Sequence, residues 1–317
     1  MASISWKIVL LLAGAAAIVI RLLLDSDFGQ STLLYILVPF VLSLLIAFFT
    51  RNTERTSVAA RYVNNLRIST IVFLATSAFL MEGFICVLMF MPIYYVFVTI
   101  GFIFAALMED KKDENDEEQE RSKLRVAVIP LLVLVLVSEG LFPETTFERD
   151  NTATFVADSP LSVAALQNNM AQPIAFDSER HWFMQLFPMP DRVDAGSLGE
   201  GDIHKVHFTY RRWFFTNIHQ GEIHLKIARV APDHVRTKVI RNDSYLANYM
   251  EIDGTDIRFS PKPDGGTRVA LTVRYTRSLD PVWYFGPMQQ FAAKQSAKQF
   301  LQDIIFRHAV KEVKDGT

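Results

Sequence analysis

The chain has 317 residues, 50% of them hydrophobic, and a formal net charge of −2. Its length suggests about two domains, and the near-neutral charge offers no basic excess for a nucleic-acid partner. A single cysteine, Cys86, excludes a disulfide within the chain. The average conceals a division. Up to Phe142 the sequence is dominated by Leu, Ile, Val, Phe and Ala, broken by short charged segments; after Glu144 it alternates as water-soluble strands do. There is no internal repeat.

A membrane-spanning helix needs about 20 mostly apolar residues, because it rises about 1.5 Å per residue across a core about 30 Å thick. Residues 4–24 and 33–49 meet this requirement. The run 68–108 would be about 60 Å long as one helix, twice the core. Pro92, which lacks a backbone N–H and suits a first helical turn, divides it into spans 68–91 and 92–108. Residues 126–142, with Pro130 among them, complete a predicted transmembrane bundle of about five helices over residues 1–143. The first run reads as a retained anchor, since Arg21 and further leucines follow the small residues 13–17, where a mature start after signal cleavage would be polar.

Lys and Arg in short loops set the orientation. Residues 25–32 carry none, whereas 51–67 carry Arg51, Arg55, Arg61 and Arg67, and the charged loop 109–125 carries Lys111, Lys112, Arg121, Lys123 and Arg125. With both basic loops in the cytoplasm, five spans place the N-terminus inside and the C-terminal domain on the extracytoplasmic side, the periplasm of a bacterium; if 126–142 only lies on the membrane surface, there are four spans and the domain is cytoplasmic. The 109–125 run reads as a solvated loop. Arg21 and Glu82 are ionisable residues inside predicted spans. Such residues need a reason, either pairing or, more simply, snorkelling and a hydrogen bond to a neighbouring helix. Cys86, one turn beyond Glu82, reads as a small apolar packing residue.

From residue 151 the period becomes two. Residues 152–157 form a strand, Asp158-Ser159-Pro160 signals a helix over 161–170, and residues 181–186 form a second short helix ended by Phe187-Pro188-Met189-Pro190. After the turn-rich stretch 195–202, strands follow at 203–211, 222–229, 234–241, 250–260 and 267–276, with Gly254 interrupting the fourth. Pro263-Asp264-Gly265-Gly266 marks a hairpin. Alternation of this kind predicts an antiparallel sheet with one wet and one apolar face. The long amphipathic segment available to cover the apolar face is 287–310. There Met288, Phe291, Ala292, Ala297, Phe300, Leu301, Ile304 and Ile305 recur near a period of 3.6, while Gln289, Lys294, Lys298 and Gln302 face away.

The fold class is thus α+β: helical spans, then a curved sheet wrapped on a C-terminal helix. The order of elements over residues 151–310 resembles the helix-grip fold of the START-like superfamily, also called SRPBCC or polyketide cyclase/dehydrase-like proteins. The resemblance is carried by Asp158-Ser159-Pro160, the turn 199–202, Gly265-Gly266-Thr267-Arg268-Val269 and the junction 279–287. It implies an apolar pocket between sheet and helix, with Phe208, Tyr210, Leu225, Ile257, Phe259, Val273, Tyr275, Trp283, Tyr284, Phe285, Met288 and Phe291 as inward candidates. A pocket with few polar groups suits a lipid or another hydrophobic small molecule.

Other chemistry is weakly signalled. His204 and His207 are three apart on a strand and face opposite ways, and His207 and His224 belong to the wet face with no convergence of metal ligands. No Gly-x-Ser-x-Gly, Walker-type loop, His-Glu-x-x-His or paired-cysteine motif is present, and no cofactor is implied. Asp243, Asp253 and Asp256 are the nearest acid–base candidates, though Asp favours turns through local hydrogen bonds. Trp213-Phe214-Phe215 behind Arg211 and Arg212 reads as a bilayer-touching loop. Three functions follow as expectations: a membrane-anchored module for a hydrophobic ligand, an enzyme of cyclase or hydrolase type in the same pocket, or an assembly protein without a ligand.

Overall fold

The computed structural model describes residues 32–50, 57–79, 84–109, 128–140, 143–176, 187–213 and 216–305. The chain divides into two compact units, Met1–Phe147 and Glu148–Thr317.

In the first unit a π turn, Leu33–Leu37, leads into α1 (Val38–Phe49), followed by α2 (Val58–Phe79), α3 (Phe84–Glu109) and the short α4 (Val128–Val137). Small and polar residues join the first three. Ser43 Oγ donates to the Val98 carbonyl at 2.6 Å, and Asn65 Nδ2 donates to the Ser43 carbonyl at 2.9 Å. Gly101 meets α1 so closely that an added Cβ would lie 2.6 Å from the Phe40 carbonyl oxygen. Interhelical hydrogen bonds and small contact residues are what hold helices together where the hydrophobic effect cannot.

Several sequence expectations change here. Among the described residues one helix, at Val87–Met108 within α3, is long and apolar enough to cross a membrane, so five spans are not supported. The predicted break at Pro92 is absent: Pro92 lies inside α3, whose 26 residues run on past it. The loop expected over 51–67 is already helical from Val58, where Ser57 Oγ accepts from the Ala60 N–H at 3.2 Å and Ala59, Ala60, Arg61 and Leu66 favour the helix. Among the described residues of the last predicted span ten are helical, and the helix ends where Gly140 takes φ of 76° and the Ser138 hydroxyl bonds back to the Val135 carbonyl. The first predicted span, Arg21, Glu82, the loop 110–125, the helix 181–186 and Phe214-Phe215 lie outside the described residues.

The second unit is one eight-stranded antiparallel sheet with helices against it. Its strands are β1 (Asp150–Ser159), β2 (Ile174–Ala175), β3 (Pro190–Asp194), β4 (Ile203–Trp213), β5 (Thr216–Ala231), β6 (His234–Asn242), β7 (Met250–Pro261) and β8 (Thr267–Arg277), in the order β1-β8-β7-β6-β5-β4-β3-β2. The helix α5 (Val163–Met170) is capped by Ser162, which accepts from Ala165 N, so Asp158 and Ser159 remain in β1. The last helix, α6 (Val282–Phe300), passes into a π turn, Leu301–Ile305. It packs on β1 and β8, and the π turn packs on α5.

The inner face of the sheet carries Val206, Phe208, Leu225, Val235, Ile257 and Leu271, which meet Leu166, Met170, Ala297 and Leu301 from the helices. The buried stripe of α6 is Phe285, Gln289, Ala293 and Ala297, a spacing of four. Gln289, expected to face away, is buried because its Nε2 donates to the Tyr249 carbonyl at 2.9 Å. Trp283 and Phe291, expected inward, are 48% and 44% exposed on the opposite side.

The turn from β8 into α6 is held by charge. Arg277 is fully buried; its Nη1 donates to Asp280 Oδ1 at 2.6 Å and to the Leu279 carbonyl at 3.0 Å. Arg149 Nη2 donates to the other carboxylate oxygen at 2.5 Å and its Nη1 to the Ser278 carbonyl at 3.1 Å. This clasp fixes the start of β1 to the start of α6, with Pro281 as the N-cap of the helix.

Candidate functional site

The polar pattern of β6 and β7 creates the site. Their ladder covers three residue pairs only, His234 to Arg236 against Arg258 to Asp256. Beyond it the two strands are joined through side chains. The Thr255 N–H donates to Thr237 Oγ1 at 3.0 Å, and the two hydroxyls bond each other at 2.8 Å. Gly254 permits this approach, since an added Cβ would lie 2.2 Å from the Thr237 carbonyl oxygen, which also accepts from Arg274 Nη2 at 3.3 Å. Both threonines are buried.

Where the ladder gives way, a recess opens on the inner side. Strands supply Ile174, Val193, His204, Val206, Leu225, Ile227, Thr237, Thr255 and Ile257; Met170, Gln172 and Phe300 complete the wall. It is a narrow recess of about 20 Å³, room for one water-sized body, so anything larger needs movement of the walls. The walls are apolar apart from His204, the threonine pair and Gln172, which stands at the exposed rim. His204 Nε2 lies 2.7 Å from the Ser197 carbonyl. A carbonyl can only accept, so Nε2 carries the proton.

Of the predicted pocket residues, Leu225 and Ile257 line this recess. Phe208, Tyr210, Phe259, Tyr275 and Phe285 are buried elsewhere along the sheet and helix. Tyr210 stacks on Tyr245 with centroids 4.7 Å apart, and Tyr275 packs with Ala153 and Ala293. Val273 is half-buried against the main core, and Tyr284 and Met288 are half-buried on α6. The set is therefore spread along the whole unit and does not converge. The residues that sequence reasoning missed had a readable signal: His204, Thr237 and Thr255 are polar residues at the inward parity of Val206, Val235 and Ile257.

The outer face holds the remaining titratable candidates. His207 reaches Asp194 at 2.7 Å and Glu222 at 3.2 Å, and His224 reaches Glu222 at 2.9 Å. The hydrogen bond from His224, with the nearby His207, holds the Glu222 carboxyl below its ordinary range. Asp256 is shared by His234 at 2.6 Å, Arg274 and Arg236, and Asp243 pairs with Arg241 at 2.5 Å. Among the described residues no group of three His, Cys, Asp or Glu side chains converges as a metal site.

No family profile and no curated protein sequence matches the chain. Solved structures do match about half of it. A START superfamily protein from Mycobacterium smegmatis is 10% identical, over 49% of this chain and 95% of that one, with a TM-score of 0.34. Protein CV1439 from Chromobacterium violaceum is 14% identical over 49% and 95%, with a TM-score of 0.32. A point mutant of Thalictrum norcoclaurine synthase, in complex with a transition-state analogue, is 14% identical over 50% and 98%, with a TM-score of 0.27. With TM-scores below 0.5, the α+β architecture of Glu148–Thr317 rests on its own strand order and on the helix packed against its inner face.

Proposed function

We propose that the protein is a membrane-anchored binding module for a lipid or other hydrophobic small molecule, which enters the recess between the sheet and the C-terminal end of α6. The observation that carries this is the recess itself, an apolar-walled gap with few polar groups placed where a sheet ladder ends. Its present width requires Met170 and Phe300 to move aside for anything larger than water. Phe300 is half-buried at the junction between α6 and the π turn. An enzyme of the cyclase or hydrolase type would need an acid–base pair, and His204 is the only titratable residue among those lining the recess.

The anchoring half of the reading is supported by side-chain exposure in the first unit. Val96, Ile103, Leu107 and Met108 of α3, and Leu131, Leu132, Leu134 and Val135 of α4, are exposed large apolar residues. Contiguous exposure of this kind is disfavoured in water and natural in lipid. If residues 126–142 cross the bilayer, the loop charges put Glu148–Thr317 outside the cytoplasm. Protease added outside sealed vesicles would then cut the Lys262–Gly266 turn; cleavage only after the vesicles are opened would reject that side.

The binding reading is tested with the full chain carrying ¹³C-methyl isoleucine. Methylcyclohexane should shift the Ile227 and Ile257 methyl resonances, which line the recess, and leave the exposed Ile218 and Ile240 unmoved. Equal shifts at all four sites, or none, would reject a ligand seat here.

A further inference from the structure

The threonine pair in the recess has one hydrogen-bond donor too many. Two hydroxyls carry two hydrogens, and the bond between Thr237 Oγ1 and Thr255 Oγ1 uses one of them, whichever residue donates. Thr237 Oγ1 already accepts from the Thr255 N–H, which adds a third donor to the cluster and no further acceptor. One hydroxyl hydrogen therefore remains with no acceptor among the described residues. Both threonines are more than nine-tenths buried and both line the recess. A buried donor left unmatched is costly, so it marks a place where something else is accommodated. The other buried polar group of the wall does not compete: the His204 Nε2–H is spent on the Ser197 carbonyl, and in the neutral ring Nδ1 can only accept.

We propose that the ligand of this recess presents one oxygen acceptor, of the carbonyl or ester kind, to the Thr237–Thr255 hydroxyl pair, with the rest of the molecule hydrocarbon. This deepens the reading of the recess as a ligand seat and rests on it. The ligand class is thereby narrowed from any apolar molecule to one whose otherwise apolar body bears a carbonyl oxygen. Hydrogen counting also fixes an unusual mutational pattern. Removing the Thr255 hydroxyl removes one donor together with the internal bond that consumed one, so the Thr237 hydroxyl hydrogen is still left over. Removing both leaves no hydroxyl donor; the residue 255 amide loses its acceptor and points at the valine methyl group that takes the place of Thr237 Oγ1, so it stays covered.

The test uses the full chain with ¹³C-methyl isoleucine and two ring compounds of similar size, methylcyclohexane and cyclohexanone, each titrated while the Ile227 and Ile257 methyls are followed. The affinity ratio of cyclohexanone to methylcyclohexane should fall about fivefold in the double variant Thr237→Val/Thr255→Val, the factor that one net hydrogen bond corresponds to. In Thr255→Val, which keeps the Thr237 oxygen as acceptor for the residue 255 amide, the ratio should stay within about twofold of wild type. An unchanged ratio in the double variant overturns the proposal while leaving the recess a ligand seat. Failure of both compounds to move the two methyls overturns the proposal and the binding reading together. Should the double variant not fold, the carbonyl stretch of cyclohexanone bound to wild type decides. A frequency below that in hexane supports the hydrogen bond; the hexane value means that the pair holds a bound water only, and overturns it.

Discussion

Replacing Asp280 with Ala would leave the buried Arg277 cation without the carboxylate that faces it. The side chains of Arg277 and Asp280 are 1% and 4% exposed, and the carboxylate takes one bond from Arg277 at 2.6 Å and one from Arg149 at 2.5 Å. Breaking a buried pair by removing one partner costs about 3–5 kcal/mol. The lower end applies here. Arg277 keeps the carbonyls of Leu279 and Glu148 at 3.0 and 3.3 Å, and Arg149, about a third exposed, can turn to water. A loss of about 3 kcal/mol is roughly a hundredfold in an opening equilibrium. Hydrogen exchange of the β1 and β8 amides reads that equilibrium directly, without requiring the whole chain to unfold as one unit. Exchange there should quicken about a hundredfold, and the combined change Arg277→Met/Asp280→Leu should restore most of the protection by making the site apolar throughout. Acceleration below about threefold in Asp280→Ala would refute the claim that this clasp stabilises the unit.

Three further outcomes follow from the same geometry. Gly254→Ala would place a methyl 2.2 Å from the Thr237 carbonyl oxygen; it should destabilise the unit by about 1–3 kcal/mol, read as a lower denaturation midpoint. Phe300→Ala removes a half-buried ring from the mouth of the recess, so it should cost up to about 3 kcal/mol and tighten methylcyclohexane binding measured at the Ile257 methyl. His234 titrates below its usual 6.5, because of partial burial and then the charges of Arg229 and Arg258, even though its Nε2 lies 2.6 Å from an Asp256 carboxylate already claimed by two arginines. The unfolded chain therefore takes up the proton first. Its contribution is present above pH 6.5 and is lost as pH falls from there toward the lower folded value. An NMR titration should place the ring below the usual midpoint, and Arg229→Gln should move it upward.

The strands were legible because alternation is a direct record of which residues meet a core. Val206, Phe208, Leu225, Ile257 and Val269 all lie inward as their parity requires. Helix faces were less legible, since polarity was taken as a proxy for exposure. Gln289 contradicts the proxy because the Tyr249 carbonyl awaits its amide, and its burial turns Phe291 out to solvent. Trp283 departs from its expected inward place because the helix begins at Val282, not Pro287, and carries it on the outer side. In the first unit hydropathy located apolar runs without their ends. It could not see that α2 starts in polar residues near Ser57, or that the α3 helix tolerates Pro92. The recess was hidden for a different reason: it comes from the shortness of the β6–β7 ladder, and the number of pairs two strands make is not written in either strand alone.

The clasp at Arg149 also has a mechanical side. β1 is the first strand of its unit and pairs over ten residues with β8, from Asp150 opposite Thr276 to Ser159 opposite Thr267. Tension delivered through residue 148 along the axis of β1 would be borne by those rungs in shear, all at once, and by the ionic knot at its near end. Strands loaded that way slide as a block, whereas strands pulled sideways unzip one rung at a time. The chain thus enters this unit at a point suited to bear tension without fraying.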